Sequence, residues 1–201
     1  MQVVAEWESG AVPAGAPADA EAALMRRLAA GDERAFRLLA ERQAPRLLRF
    51  ADRLLGNAAE AEEVTQEVLL RLWRGAARWD PARGALATWL HAIAYRLCLD
   101  RLRRRRGTLP LEDAMDLADA APSPLEAAQA QAELARLEGH LARLPARQRA
   151  ALTLFYHQEM PGAEAAAVLR LELRAFWSLL RRGRLALQDM MAAAPSRPEE
   201  P

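Results

Sequence analysis

Thr88, His91, Ala92, Tyr95, Arg103 and Arg106 recur along one side of the stretch WDPARGALATWLHAIAYRLCLDRLRRRR, residues 79–106. They carry an aromatic ring, hydrogen-bonding groups and, at the far end, guanidinium charge. Five of the six residues from Arg101 to Arg106 are arginine, and cations at a helix C-terminus are favoured by the macrodipole while staying free to meet phosphates. A rigid helix showing rings and then positive charge suits a nucleic-acid strand whose bases are unstacked. The same pattern also suits an amphipathic core helix with a solvated basic end. Leu86, Trp89, Leu90, Ile93 and Leu97 supply its buried stripe at helical spacing.

The chain offers no other obvious chemistry. Its one cysteine, Cys98, cannot form an internal disulfide and suits a small buried hydrophobe better than a redox group, and the three histidines are scattered with no metal-ligand spacing. No paired carboxylates face a base, no nucleophile lies beside a histidine in a motif, and no glycine-rich phosphate loop is present. Neither a metal nor a cofactor is expected.

With 201 residues the chain is long enough for one large domain or two small ones. It has no apolar run near the ~18 residues of a membrane span. Residues 1–20 carry acids but no basic residue, unlike a signal peptide, so a soluble cytoplasmic protein that inserts in no membrane is expected. Net charge is only +1 and every basic residue is arginine. The arginines concentrate in 26–53, 71–106 and 136–184, whereas residues 107–135 hold none and carry Glu112, Asp113, Asp116, Asp119, Glu126 and Glu133. Two basic bodies joined by an acidic tether follow from that distribution.

An all-α fold of two small helical domains positions these residues. Residues 1–18 are rich in Ala, Gly and Pro and read as a disordered tail. Asp19 suits the cap of a helix to about Ala30, and Asp32 the cap of the next, whose apolar face begins at Phe36, Leu38 and Leu39. Pro45 is expected to break or kink that helix, leaving Arg46–Leu55 as a further one, closed by Gly56-Asn57 in a left-handed cap. Glu60–Trp73 forms a strong helix with Val64, Val68, Leu69, Leu72 and Trp73 inward. Its other side, Glu60, Glu63, Gln66, Glu67 and Arg71, reads as a solvated charged face unless a partner covers it. The turn Trp79-Asp80-Pro81 and Gly84 lead into the helix described first, and a bundle of about four helices closes by Arg106. The first domain thus spans 19–106 and a flexible acidic linker 107–124.

A second domain, 125–191, precedes a disordered tail at 192–201. Leu134, Leu137, Leu141 and Leu144 repeat at helical spacing, and Pro145 opens a helix to about His157. Two further helices, Ala163–Leu169 and Leu173–Met190, have the layout of a helix-turn-helix. Phe176, Leu180, Gly183 and Leu187 are expected to pack inward, leaving Arg174, Trp177, Ser178 and Arg181 outward where a major groove would lie. Any helical hairpin with a basic surface shares this appearance.

Together the segments EEVTQEVLLRLWR (62–74), 79–106, LPARQRAALTLFYHQEMPGAEAAAVL (144–169) and SLLRRGRLAL (178–187) resemble the bacterial sigma-70 family in its two-domain extracytoplasmic-function (ECF) form. The resemblance covers about 21–106 and 126–187. It implies a sigma factor that binds core RNA polymerase and promoter DNA, directs local melting and transcription initiation, and is held inactive by an anti-sigma factor. By position, Glu63, Gln66, Glu67, Leu70 and Trp73 would bind the polymerase clamp. Trp79, Asp80 and Arg83 would belong to the loop that receives a flipped minus-ten base, and Thr88, His91, Ala92, Tyr95, Arg96 and Arg103 to the single-strand path. Arg174, Trp177, Ser178, Arg181 and Arg182 would lie on the helix that reads the minus-thirty-five element. Opening duplex costs about 1.4 kcal/mol of stacking per step, and stacking a flipped base on protein returns roughly 1–3 kcal/mol, so a few captured bases offset local melting.

The chain departs from the family pattern at Tyr95-Arg96, where asparagine commonly follows arginine, at Arg170, which replaces the turn glycine, and at the apolar Phe176-Trp177. A free-standing helix-turn-helix regulator is the competing expectation, though it has no use for a clamp-type face and usually dimerises on symmetric half-sites. A helical enzyme is the weakest reading.

Overall fold

The computed structural model describes residues 16–108 and 136–192. No strand occurs among the described residues, as the helical periodicity predicts. The first domain comprises α1 (Ala16–Ala29), α2 (Glu33–Leu55), α3 (Ala58–Gly75) and α4 (Leu86–Thr108). Two short 3₁₀ turns, Ala76–Arg78 and Pro81–Arg83, join α3 to α4. The second comprises α5 (136–143), α6 (Ala146–Leu152), which runs on as a π-helical turn Thr153–His157, then α7 (Gly162–Leu169) and α8 (Leu173–Ala192). Of the expected tails 1–18 and 192–201 and linker 107–124, residues 1–15, 193–201 and 109–124 lie outside the described residues, while 16–18, 107–108 and 192 fall within helices.

Local chemistry explains most boundaries. The Asp32 carboxylate accepts the Arg34 and Ala35 amides at 2.9 and 3.2 Å and caps α2, satisfying donors that a helix start leaves orphaned. Gly56 ends α2 at φ 58, in the left-handed region glycine enters without a Cβ clash. Asn57 then accepts the Glu60 amide at 3.0 Å and caps α3. At the other end α1 begins at Ala16, so Asp19 lies inside the helix and does not cap it.

Pro45 does not break its helix. α2 runs through it unbroken from Glu33 to Leu55, because Pro45 is exposed while Leu39, Leu47, Phe50, Ala51, Leu54 and Leu55 keep one stripe inside the core. Burying such side chains stabilises by roughly 1.5–3 kcal/mol each, which together outweighs the ~3 kcal/mol cost of one internal proline.

One core runs through both domains. α2 and α3 pack as the main antiparallel pair of the first domain, α4 lies against both, and α6, α7 and α8 pack on one another around Phe176, Leu179 and Leu180. α4 also meets α7, so it has packed helices on two sides.

The turn between α7 and α8 pivots on Arg170 at φ 53. The Arg170 amide bonds Ala167 at 3.1 Å and the Leu171 amide bonds Ala166 at 2.9 Å, a left-handed helix cap in which glycine is the unstrained residue. The arginine stays in place because Leu169 behind it is buried and Leu171 packs on the core. Arg170→Gly is therefore expected to stabilise the protein by ~1 kcal/mol, read as a higher urea midpoint; a lower midpoint would show that the side chain contributes more than the strain it imposes.

Candidate nucleic-acid interface

Only one side of the expected face on α4 is open. Arg83, Arg96 and Arg103 are exposed, Arg103 lying 3.7 Å from Asp100. Asp80 accepts the Ala82 amide at 2.9 Å and so holds the Pro81–Arg83 turn, and half-buried Trp79 packs on the core with its indole N–H buried and unpartnered among the described residues. The remaining four residues correct the outward assignment made from periodicity. His91 is fully buried, Tyr95 is 5% exposed, and Thr88 and Ala92 are half-buried. What covers them is the second domain: the Thr88 hydroxyl donates to the Glu164 carboxylate on α7.

His91 sits between domains. Its ring meets Phe50 edge-on at 5.2 Å, and Nδ1 lies 2.8 Å from the Ala87 carbonyl, so Nδ1 carries the proton. Nε2 is buried and makes no hydrogen bond of ordinary geometry among the described residues, although the Gln158 side chain is near enough to favour its protonation. Burial pulls its pKa from 6.5 to about 4, the Ala87 bond opposing and the Arg46 charge adding to the fall. Burial likewise raises the Tyr95 hydroxyl, with the Arg147 and Arg103 charges opposing.

The expected buried stripe of α4 is also rotated. Leu86, Leu90, Ala94 and Cys98 form its fully buried line, while Trp89, Ile93 and Leu97 are only half-buried. Burial pushes the Cys98 thiol up to about 12, which fits an inert core residue.

The charged side of α3 and the arginine end of α4 share one open groove of about 800 Å³, lined by Glu63, Gln66, Glu67 and Leu70 from α3 and Leu97, Asp100 and Arg101 from α4. The arginines are not simply held out for phosphates. Arg101 reaches Glu63 at 3.3 Å, while Arg105 reaches Glu60 at 3.0 Å and donates to the Leu55 carbonyl at 2.8 Å. Arg71 pairs with Glu67 at 2.8 Å along α3. Leu70 is 47% and Trp73 39% exposed, Trp73 braced edge-on by Phe36 at 5.3 Å. Two exposed apolar side chains thus stand beside surface ion pairs worth ~1 kcal/mol or less.

On α8, Arg174, Trp177, Ser178 and Arg181 line a single open cleft with Leu173, of about 550 Å³; Arg182 is exposed outside that lining. Phe176, Leu180 and Gly183 are buried and Leu187 half-buried, as expected. Trp177 does double duty. It is 43% exposed, yet stacks edge-on against Phe155 at 5.3 Å and Phe176 at 5.4 Å. Its ring also lies over Gly162, where a Cβ would come within 2.5 Å, so glycine is required there.

Residues 39–108 match the Sigma-70 region 2 family and residues 134–187 match Sigma-70, region 4. The chain belongs to the sigma-70 family. It is 35% identical over 150 residues to the ECF RNA polymerase sigma factor RpoE of Cereibacter sphaeroides, covering 75% of this chain and 82% of the relative. It is 30% identical over 175 residues to the ECF sigma factor SigK of Mycolicibacterium vanbaalenii, covering 86% and 89%. Among solved structures, CnrH in complex with the cytosolic domain of CnrY matches with TM-score 0.69 at 26% identity, covering 88% of this chain and all of that one. The RpoE–NepR complex from Bartonella quintana shares the fold, with TM-score 0.65 at 22% identity over 80% of this chain.

This ECF sigma factor is thus a transcription initiation factor, and among its described residues no helix is long and apolar enough to cross a membrane. The residues that sequence reasoning missed are those linking its two domains, among them Arg46, Arg147, Gln158 and Glu164 and the Arg53–Glu138 pair at 3.7 Å. Their contacts join positions as far as 112 apart, and no local pattern signals such a pairing.

The unfolded chain takes up a proton on its histidine near pH 6.5, whereas folded His91 does so only near pH 4. Acidification across that window therefore favours the unfolded state, and His91 is expected to withdraw roughly 2–3 kcal/mol of stability between neutral pH and pH 4. Urea unfolding of wild type and His91→Gln at both ends checks this: the loss attributable to His91 should vanish in the variant, and equal losses would refute it.

Proposed function

We propose that the two exposed surfaces and the covered one divide the work of transcription initiation. Glu63, Gln66, Glu67, Leu70 and Trp73 dock on the clamp of core RNA polymerase. Trp79, Asp80, Arg83, Thr88, His91, Ala92, Tyr95, Arg96 and Arg103 receive the melted minus-ten strand. Arg174, Trp177, Ser178, Arg181 and Arg182 read the minus-thirty-five duplex. The domains that carry them are 19–106 and 125–191, with 107–124 as the tether, and the protein acts in the cytoplasm by binding, without catalysis of its own.

The observation that carries the assignment is the groove between α3 and α4, in which acidic, basic and exposed apolar groups meet on the matched region 2 segment. A free-standing regulator has no use for it. Stacking and phosphate contacts drive the DNA steps: aromatic rings return roughly 1–3 kcal/mol per captured base, and exposed arginines release counterions on binding phosphates. Control by an anti-sigma factor is in keeping with the structural neighbour RpoE of Bartonella quintana, which was solved in complex with the anti-sigma factor NepR.

Transcription by purified core polymerase from a promoter library, with and without this protein, tests the whole reading. Glu63→Ala with Gln66→Ala is expected to weaken core binding in a pull-down while the circular dichroism stays that of wild type, because both side chains are exposed; unchanged affinity would remove them from the clamp site. Arg181→Ala is expected to lower duplex affinity and flatten its log–log salt slope by about one unit, and equal slopes would exclude that phosphate contact.

A further inference from the structure

Trp177 stands among arginine and serine on the outer face of α8, and it is held still. Its ring meets Phe155 edge-on at 5.3 Å and Phe176 at 5.4 Å, and it lies so close over Gly162 that a Cβ there would come within 2.5 Å. The rest of the ring is open: Trp177 is 43% exposed and Leu173 46%, and together they make the apolar wall of the α8 cleft. Arg174 and Arg181, both exposed, lie one helical turn before and one after Trp177 on the same face. Ser178 has a fixed polarity. Its hydroxyl donates to the Arg174 carbonyl at 3.0 Å, so only its lone pairs remain for a ligand and it can accept a hydrogen bond but not donate one.

Along α8 the face thus offers a donor fork, an apolar plate beside an acceptor, and a second donor fork. In the major groove guanine presents two acceptors to an arginine fork, adenine an amine, and thymine a methyl group. An A·T pair is the one that offers an amine to Ser178 and a methyl to Trp177 together. Trp177 and Ser178 are the fifth and sixth residues of α8, among the N-terminal residues that reach base edges when such a helix enters the groove. From Arg174 to Arg181 the helix rises about 10 Å, the length of about three base steps. We infer that Trp177 and Ser178 together read one A·T pair, by its thymine methyl and its adenine amine, between guanine edges suited to Arg174 and Arg181. Phe155 and Gly162 are the positioning residues that hold the indole for this contact. A ring already fixed has little rotamer freedom to lose on binding, so contact with a single methyl registers in affinity. The inference rests on the assignment of α8 to the minus-thirty-five duplex and names what that site selects.

The test uses the holoenzyme, this chain bound to core polymerase, to enrich fluorescein-labelled duplexes from a randomised pool. Within the part of the sequence whose enrichment Arg181→Ala abolishes, each thymine is replaced in turn by deoxyuridine, which removes the methyl and keeps the pairing. One position is expected to lose about fourfold in affinity by anisotropy, the effect of one buried methyl. Trp177→Ala is expected to bind thymine and deoxyuridine equally there, and Gly162→Ala, which pushes the ring aside, to shrink the ratio between them. An unaltered ratio in Gly162→Ala would strike its positioning role. No sensitive position in the wild type, or a ratio that survives in Trp177→Ala, overturns the inference while the α8 assignment stands. If Arg181→Ala leaves every enrichment intact, the assignment itself fails and the inference falls with it. A Trp177→Ala chain that binds core polymerase more weakly in a pull-down, with the ratio unchanged, would make the indole a protein anchor and overturn the base reading. The deoxyuridine series needs no variant. Should Trp177→Ala lose its helical circular dichroism, Leu173→Ala at an exposed position removes part of the same apolar wall and is expected to lower the ratio.

Discussion

The burial of α4 from both sides is the constraint on which the rest of the structure depends. One side of the helix packs Leu86, Leu90, Ala94 and Cys98 against α2 and α3, and the other presents His91 and Tyr95 to the second domain. On those two enclosed sides the helix keeps neutral groups, because an unpaired buried charge costs far more than a neutral one, whereas Arg96 on its open side stays exposed. The imidazole therefore stays neutral, with its one proton committed to the Ala87 carbonyl. The same enclosure explains why this segment looks amphipathic in sequence yet has no clean apolar side in the fold.

Charge is organised by pairing, not by excess. Net charge is +1, and the arginines at the end of α4 are partly spent on Glu60 and Glu63 of α3. Such half-buried surface pairs contribute modestly to stability. They hold long side chains in a defined array. In the second domain the arginine-bearing face of α8 is anchored from beneath by Phe176 and from the side by the Trp177–Phe155 contact. Trp177 is therefore both a brace and a wall of the cleft, which accounts for an apolar residue in a face otherwise suited to DNA.

Much of the fold was legible in the amino-acid order because its signals are local. Asp32 and Gly56 cap α2 as their types predict, the α3 stripe through Val64, Val68 and Leu72 is buried, and the α7–turn–α8 layout stands where spacing put it. Local rules misled at Pro45, where tertiary burial of the α2 stripe overrides the loss of one hydrogen bond, and at Asp19, where the helix begins earlier. Of the candidate site, Glu63 and Gln66 on α3 and Arg174, Trp177, Ser178 and Arg181 on α8 are exposed as periodicity predicts, whereas Trp73, expected inward, is 39% exposed.

What the sequence determined by itself was the helical class, the caps at Asp32 and Gly56, most of the faces of α3 and α8, and a family resemblance that the matches to regions 2 and 4 bear out. Only the tertiary structure decided whether the α4 face is open. Helical periodicity reports which residues share a side, and two sides of α4 are both suited to packing: one by leucine, the other by His91, Ala92 and Tyr95. The choice between solvent and protein on that second side depends on Gln158 and Glu164, which lie 112 and 76 positions from their partners Arg46 and Thr88. Contacts between residues so far apart arise from how two domains dock, and nothing in the spacing of neighbours encodes them.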